Sequence, residues 1–165
     1  MASMTTRTTL ILLGSLGLVA CDSGPEPGRC GPSEAIVKRV IDGDTLELES
    51  GERVRYLLID SPESTTEQEC WGPEAKQANR DLVEGESISL RYDAECEDSY
   101  GRLLAYVELS GQVINEVMVE RGHACVLQIP PNGADQVDAY RDLEYAAEQL
   151  GKGLWAACNP IPCGD

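Results

Sequence analysis

Hydrophobic and polar residues alternate along several short stretches of the chain, and this alternation is typical of half-buried β-strands. A Gly-Asp turn at Gly43 and a Ser-Gly turn at Ser50 separate the first three stretches, so we expect these strands to form a meander. The predicted strands cover residues 35–42, 45–49, 53–59, 87–92 and 103–109.

Three other stretches carry apolar residues at helical spacing, and they cover residues 72–84, 113–121 and 135–150. Pro73 suits the first turn of the first helix, and Gly85, Gly122 and Gly151 follow the three helix ends. Five short strands with a helix between the third and fourth have the order of an OB-fold barrel. The periodicity by itself establishes only an α+β domain.

The first 20 residues are predicted to be an export signal. Their apolar run, residues 10–20, is too short to cross a bilayer comfortably and ends in Leu18-Val19-Ala20-Cys21. This ending looks like a bacterial lipobox, which predicts cleavage before Cys21 and a lipid anchor on that cysteine. An ordinary secretory signal is the alternative, and either interpretation predicts export to the cell envelope, on the periplasmic side or the outer surface.

Residues 21–34 are rich in Gly, Pro and Ser and read as a tether between the anchor and the folded part. Residues 35–158 are enough for one domain with one core, and residues 159–165 form a short tail. No internal repeat indicates a second domain, and we expect a monomer.

The cysteine content indicates disulfide bonds. After Cys21 the sequence holds an even number of cysteines, which in an exported protein predicts up to three disulfides. Structural zinc is disfavoured because there is no Cys-x-x-Cys pair and only one histidine, His123. The candidates are Cys30, Cys70, Cys96, Cys125, Cys158 and Cys163.

Three polar motifs supply three carboxylates and two arginines in a fixed order. Asp44 lies on the first predicted turn, Arg55 on the third strand, Asp60 and Glu63 just after it, and Arg102 at the end of Asp-Ser-Tyr-Gly-Arg. Each residue taken singly is compatible with a surface ion pair. As a set, the motifs resemble those of the staphylococcal nuclease (thermonuclease) family, and the resemblance covers residues 35–155.

The resemblance implies an α+β fold, a five-stranded OB-fold barrel with three flanking helices. It also implies a calcium-dependent endonuclease that hydrolyses DNA and RNA and leaves 3′-phosphates. Asp44, Asp60 and the main-chain carbonyl of Ser61 match the Ca²⁺ ligands of the family, and oxygen ligands suit this ion. The family usually has Thr at the position of Ser61, but the donated group belongs to the main chain.

The same resemblance assigns the catalytic roles. Glu63 matches the proposed general base, which orients or deprotonates the attacking water. Arg55 and Arg102 match a pair of phosphate-binding arginines, whose planar, permanently charged groups bind phosphate in bidentate fashion. Tyr100 matches a tyrosine near the substrate phosphate. Asp42 is either a turn residue or an indirect contributor to the metal site.

Two features depart from the family pattern and weaken the expected grip on nucleic acid. The stretch 125–130 contains no aromatic residue where the type member has tyrosines, and Ser99 replaces a lysine. Base stacking contributes about 1–3 kcal/mol per base in single-strand binders. His123 lies away from the motifs and is predicted to be structural.

The formal net charge of -16 at pH 7 also opposes nucleic-acid binding, because binders normally present basic surfaces. We expect binding, preferably to single strands, to depend on a local cluster of Arg55, Arg102 and the cation. A non-catalytic binding module of the envelope is the alternative function, although such a module has no need for Glu63. A purely structural envelope lipoprotein would leave the motifs unexplained.

The family alignment also favours particular disulfides. Cys70 and Cys96 fall in loops near the active-site end, which predicts that they pair. Cys125 and the cysteines near the C-terminus fall near the third helix, which predicts a bond from Cys125 to either Cys158 or Cys163.

Overall fold

The computed structural model describes residues 30–65 and 68–163. The predicted signal and Cys21 lie outside these residues, as does most of the tether. The strands are β1 (Glu34–Asp42), β2 (Thr45–Leu48), β3 (Arg53–Tyr56), β4 (Ile59–Asp60), β5 (Ser87–Glu97), β6 (Leu103–Leu109), β7 (Gln112–Val113) and β8 (Cys125–Val126). The helices are α1 (Gly72–Val83), α2 (Ile114–Glu120), α3 (Val137–Gln149) and α4 (Leu154–Ala157).

Five strands close into a barrel. Neighbouring strands pair in the antiparallel order β3-β2-β1-β5-β6, and β3 then pairs with β6 in parallel, with Val54 opposite Leu103 and Tyr56 opposite Ala105. This closing pair leaves neither β3 nor β6 as an open edge. The predicted α+β class and five-stranded OB-fold barrel are therefore confirmed.

Apolar side chains from the strands fill the barrel, and α1, α2 and α3 cover it. Leu46, Leu48 and Val54 are completely buried, and Tyr106 of β6 meets Tyr140 of α3 at 6.4 Å between ring centroids. Burying a Leu or Val side chain contributes about 1.5–3 kcal/mol relative to leaving it exposed. The core thus fixes the β-strands from whose ends the polar motifs project.

The third strand was predicted to run to residue 59, but it ends at Tyr56. Leu58 adopts a left-handed backbone conformation with φ 64°, which an L-residue rarely adopts and which breaks the strand. Asn115 stabilises this break, because its Nδ2 donates a hydrogen bond to the Leu57 carbonyl at 2.9 Å. The chain then enters β4, which pairs with β8, with Asp60 opposite Cys125.

Further elements differ from the sequence prediction, among them β5, α4 and the two-residue strands β7 and β8. Strand β5 continues to Glu97 instead of ending at Tyr92, and its second half includes a register shift against β6. Helix α4 was not predicted. It has a single short turn, with Leu154 completely buried, so it carries too little periodicity to be visible in the sequence.

All six candidate cysteines form disulfides, but two of the favoured pairings are wrong. Cys70 pairs with Cys158 rather than with Cys96, which excludes Cys125–Cys158 as well, whereas the alternative Cys125–Cys163 is confirmed. Cys96 pairs with Cys30 because the chain before β1 runs beside β5. Leu90 of β5 donates its N–H to the carbonyl of Ser33 at 2.8 Å, and Tyr92 donates its hydroxyl to the carbonyl of Pro32 at 2.9 Å.

None of the helices in residues 30–65 and 68–163 combines the length and the apolar character that crossing a bilayer requires.

Candidate active site

The five residues of the sequence motifs line one cavity of about 210 Å³ at an end of the barrel. Asp44 comes from the β1–β2 turn, Arg55 from β3, Asp60 from β4, Glu63 from the segment before α1, and Arg102 from the residue before β6. The closed barrel brings these points together because β3 pairs with both β2 and β6.

Arg55 lies at the centre of this arrangement. Its Nη1 is 3.0 Å from Oδ2 of Asp44, and its Nη2 donates to Oδ1 of Asp60 at 2.6 Å. The same Nη1 donates to the carbonyl of Ile59 at 2.7 Å. With 14% of its side chain exposed, Arg55 is a mostly buried cation that ties two carboxylates from different elements together.

Asp44 is 5% exposed, and hydrogen-bond donors surround its carboxylate. Its Oδ2 accepts hydrogen bonds from the main-chain N–H of Ser61 at 2.7 Å and from the Ser61 hydroxyl at 3.0 Å. Its Oδ1 accepts one from the Thr45 hydroxyl at 2.9 Å. A Cβ on Gly43 would lie 2.6 Å from Cβ of Ser61, so the close approach of the turn to Ser61 requires glycine.

Hydrogen bonds of the Glu63 main chain fix the position of the segment that contains this residue. Its N–H donates to a carboxylate oxygen of Glu69 at 2.8 Å, and its carbonyl accepts the N–H of Glu69 at 2.9 Å. The side chain is exposed and accepts a hydrogen bond from the Thr65 hydroxyl at 3.3 Å. Partial desolvation of the carboxyl, followed by the nearby charge of Asp42, raises the pKa of Glu63.

The carboxylates outnumber the cations that contact them. Burial raises the pKa of Asp60, and Asp44 adds to this effect while Arg55 opposes it. A further cation in the cavity would therefore relieve repulsion among the acids. Within residues 30–65 and 68–163, no three acidic, histidine or cysteine side chains converge as a ready-made metal site. Asp44 and Asp60, which share the Arg55 guanidinium, are carboxylates of the kind that a hard ion binds.

Arg102 is anchored by the turn that precedes β6. Its Nε donates to Oδ2 of Asp98 at 2.7 Å, while Oδ1 of Asp98 accepts the N–H groups of Tyr100 at 2.9 Å and Arg102 at 3.0 Å. Gly101 completes the turn with φ 74°. Tyr100 is 84% exposed, with Cζ of Arg102 5.4 Å from the ring centroid.

A second cavity of about 360 Å³ shares Arg55 and Arg102 with the first. Its apolar wall includes Leu104 and Leu127, and Tyr100 is the aromatic residue among its lining side chains in the described part of the chain. Both arginines thus stand between a polar cavity and a partly apolar one.

The profile of the family described as "Staphylococcal nuclease homologue" matches residues 53–157. The chain belongs to the staphylococcal nuclease family. It is 36% identical over 120 residues to the Thermonuclease of Staphylococcus intermedius, which covers 69% of this chain and 68% of that protein. The predicted family is therefore confirmed, and metal ions are part of the chemistry of this family.

Two relatives from Bacillus subtilis (strain 168) are longer. Endonuclease YncB is 34% identical over 125 residues, covering 72% of this chain and 59% of the relative. The SPbeta prophage-derived endonuclease YokF is 31% identical over 130 residues, covering 74% of this chain and 44% of the relative. The chain thus spans about half the length of these two curated relatives.

Sequence reasoning missed Arg53, which lines the same cavity as Arg55. The signal was present, because residues two apart on a strand point to the same face, and Val54 between them is buried. His123 is not among the residues that line the cavity. Its Nδ1 accepts a hydrogen bond from Nε1 of Trp71 at 3.1 Å, and burial followed by Arg121 lowers its pKa.

Proposed function

We propose that the protein is a calcium-dependent endonuclease that hydrolyses phosphodiester bonds in DNA and RNA and leaves 3′-phosphate ends. The observation that carries the proposal is the shared cavity of Arg55, Arg102, Asp44, Asp60 and Glu63. Phosphodiester hydrolysis requires positive charge at the non-bridging oxygens, a positioned water and a group that accepts its proton. The residue types lining this cavity meet all three requirements.

The two arginines bind the scissile phosphate. Asp98 holds Arg102 through Nε, and the terminal nitrogens of the guanidinium are the part suited to a phosphate. Arg55 is held by Asp44 and Asp60, which keep its charge at a fixed position in the cavity. Because these groups are oriented before substrate arrives, they stabilise developing negative charge without reorganising.

Glu63 is the group that receives a proton from the attacking water. Its hydrogen bond from Thr65 and the main-chain contacts of its segment orient the carboxylate, and its raised pKa makes it a stronger base than an ordinary glutamate. Asp44, Asp60 and the Ser61 carbonyl would hold the calcium ion, which supplies positive charge beside the phosphate oxygens.

The substrate strand continues into the larger cavity beside the two arginines. Its apolar wall accommodates a nucleoside, but the segment 125–130 provides no aromatic ring for stacking. We therefore propose single strands as the preferred substrate, because their bases are free to enter the cavity.

The test is digestion of heat-denatured DNA and of RNA by the purified chain, with calcium and then with a chelator. We expect cleavage with calcium and loss of cleavage with the chelator. New 5′ ends should accept phosphate from polynucleotide kinase without prior dephosphorylation, because a 3′-phosphate product leaves a 5′-hydroxyl. Glu63→Gln is the matched variant, since it removes the base while keeping shape. Absence of cleavage by the wild type with calcium, magnesium and manganese would reject the proposal.

The second candidate is a non-catalytic binding module of the envelope that keeps the fold and a calcium site but has lost useful affinity for nucleic acid, which the missing aromatic residues and the net charge favour. The two functions separate in one experiment. A binding module of this kind would bind calcium but would neither cut labelled single-stranded DNA nor retain it on a filter, whereas the nuclease would cut it.

We also propose that the protein is exported and anchored through a lipid on Cys21, and that it acts as a monomer. The three disulfides among the described residues support an oxidising compartment. Labelling of a bacterial host with radioactive palmitate should mark the wild-type chain and not Cys21→Ala. Equal labelling of both would reject the anchor.

A further inference from the structure

The C-terminal residues 158–163, which we call the strap, carry two disulfides, one to the segment that contains Glu63 and one to β8, the strand that pairs with β4. Cys158, at the start of the strap, bonds to Cys70, and Cys163, at its end, bonds to Cys125. Cys70 closes the segment that begins after Asp60, and Cys125 begins β8. The third disulfide, Cys30–Cys96, has neither cysteine in the strap.

The Cys125–Cys163 bond acts on the strand that carries Asp60. Strand β4 has two residues and pairs with β8, where Cys125 lies directly opposite Asp60. The next residue pair continues this contact, because the N–H of Leu127 donates to the carbonyl of Leu58 at 3.0 Å. A two-residue strand pair has little stability of its own. The disulfide from Cys125 to Cys163 supports it by fixing the position of β8.

The Cys70–Cys158 bond acts on the segment that carries Glu63. Glu69, the residue before Cys70, makes both main-chain contacts of Glu63 through its carboxylate and its N–H. Glycine at 72 permits this closeness, since a Cβ there would lie 2.2 Å from the carbonyl oxygen of Glu63. The disulfide therefore holds the residue adjacent to the one that orients Glu63.

The strap packs outside the barrel core. Cys125, Leu154 and Cys158 form a small buried cluster of their own, against which Trp155 and Ile161 pack. Residues 161–163 also line a cavity of about 280 Å³ together with Asp60, Ser61 and Glu63. The barrel core thus has its own packing, and loosening the strap would act first on the two acids.

We propose that the strap positions Asp60 and Glu63 for the reaction, so that Cys125–Cys163 is a positioning disulfide for the metal ligand Asp60 and Cys70–Cys158 one for the base Glu63. This inference rests on the proposed function. It assigns a separate measurable effect to each bond, because one acts on metal binding and the other on turnover.

The experiment compares three double variants of the full chain: C125S/C163S, C70S/C158S and the control C30S/C96S. Calcium affinity is measured by calorimetry, and kcat and KM are measured on single-stranded DNA. Losing support behind a metal ligand weakens metal binding by about 10- to 100-fold, which we expect for C125S/C163S. A small displacement of a catalytic group lowers turnover by about 100-fold, so we expect C70S/C158S to lose kcat by up to this factor and to keep its calcium affinity.

The control separates positioning from general stabilisation. Cys30–Cys96 closes a sequence separation of 66 residues, between the 38 and 88 of the strap bonds, so its loss has a comparable effect on the unfolded chain. We expect C30S/C96S to keep calcium affinity and kcat. Hydrogen exchange should show faster exchange at residues 59–63 in the strap variants, with the amides of β1 and β5 still protected.

Several outcomes would overturn the inference. One is an active wild type whose two strap variants keep both calcium affinity and kcat; another is a control variant that loses them equally.

If the wild type binds calcium but cuts no nucleic acid, the proposed function fails, while the calcium measurement still tests the strap. If a strap variant does not fold, stepwise reduction of the wild type with dithiothreitol replaces it. Loss of calcium binding before loss of the far-ultraviolet circular dichroism signal supports the strap, and simultaneous loss rejects it.

Discussion

Lysine in place of Arg55 should lower both the stability of the fold and turnover, whereas lysine in place of Arg102 should lower mainly turnover. Arg55 reaches Asp44 at 3.0 Å and Asp60 at 2.6 Å with different nitrogens, and it is largely buried. An ammonium group is a single point and cannot span both carboxylates. At least one charge-assisted hydrogen bond is lost, which corresponds to about 1.5–3 kcal/mol of unfolding free energy.

Arg102 provides the matched comparison. It makes one ion pair, with Asp98 at 2.7 Å, and 29% of its side chain is exposed. Lysine can keep a single contact of this kind, so stability should change less than in Arg55→Lys. Turnover should fall for both variants by about 100- to 1,000-fold, the usual effect of removing one fixed donor from a developing negative charge.

The assay is urea unfolding of the calcium-free chains, followed by kcat on single-stranded DNA at saturating calcium. Calcium should then restore part of the stability lost by Arg55→Lys, because a ligand bound to the folded state alone stabilises it. An unchanged unfolding midpoint for Arg55→Lys would refute the structural role of the guanidinium. Turnover near that of the wild type in both variants would refute the phosphate-binding role.

Four other predictions address the metal site, the base, the lone histidine and the net charge. Asp44→Asn should weaken calcium binding measured by calorimetry, since the amide loses a charged oxygen ligand; unchanged affinity would remove Asp44 from the metal site. In the calcium-free protein, Asp42→Asn should lower the pKa of Glu63 measured by NMR titration towards its ordinary value of 4.5, because a neighbouring negative charge is removed; a rise would contradict the assigned cause. The lowered pKa of His123 means that the unfolded chain binds a proton first, so stability should fall as pH drops through the ordinary value of 6.5 and level off below the folded pKa. His123→Gln should abolish that part of the slope in urea unfolding at several pH values, and an identical slope would place it elsewhere. Finally, the initial rate on sub-saturating DNA at fixed calcium should rise or stay flat from low to moderate salt before it falls; a steep fall from the lowest salt would show that a basic patch dominates.

The barrel was predictable because its signals are local. Alternating residues mark β1 and β2, and Pro73 and Gly85 bracket α1. The end of β3 was not predictable from the sequence. Leu58 is apolar and continues the strand pattern, but its backbone adopts the left-handed conformation that ends the strand. Its conformation depends on tertiary contacts, including that of the buried Asn115 with the neighbouring Leu57 carbonyl, and the local sequence does not reveal such contacts.

The sequence predicted most of the residues of the site but not the contacts between them. The resemblance of the motifs to the family pointed to five of the charged residues that line the cavity, whereas their ion pairs follow from closure of the barrel by β3 and β6. The disulfides show the same limit. Cys30 could not be matched with Cys96 without knowing that the chain before β1 runs beside β5.

The net charge of -16 and a phosphate-binding site are compatible because the charges act over different distances. Arg39 and Lys38 both form ion pairs with Glu47 and lower its pKa to about 2. These two cations therefore add little positive potential at the protein surface. Arg53 and Arg55, by contrast, line the cavity. At physiological salt the field of distant acids is screened beyond about 8 Å, so a phosphate that has reached the cavity responds mainly to what lines it. The residues that line the cavity include several carboxylates, which repel phosphate. We therefore expect this chain to need its calcium ion to attract the substrate phosphate, whereas a basic nuclease attracts it with its own surface charge.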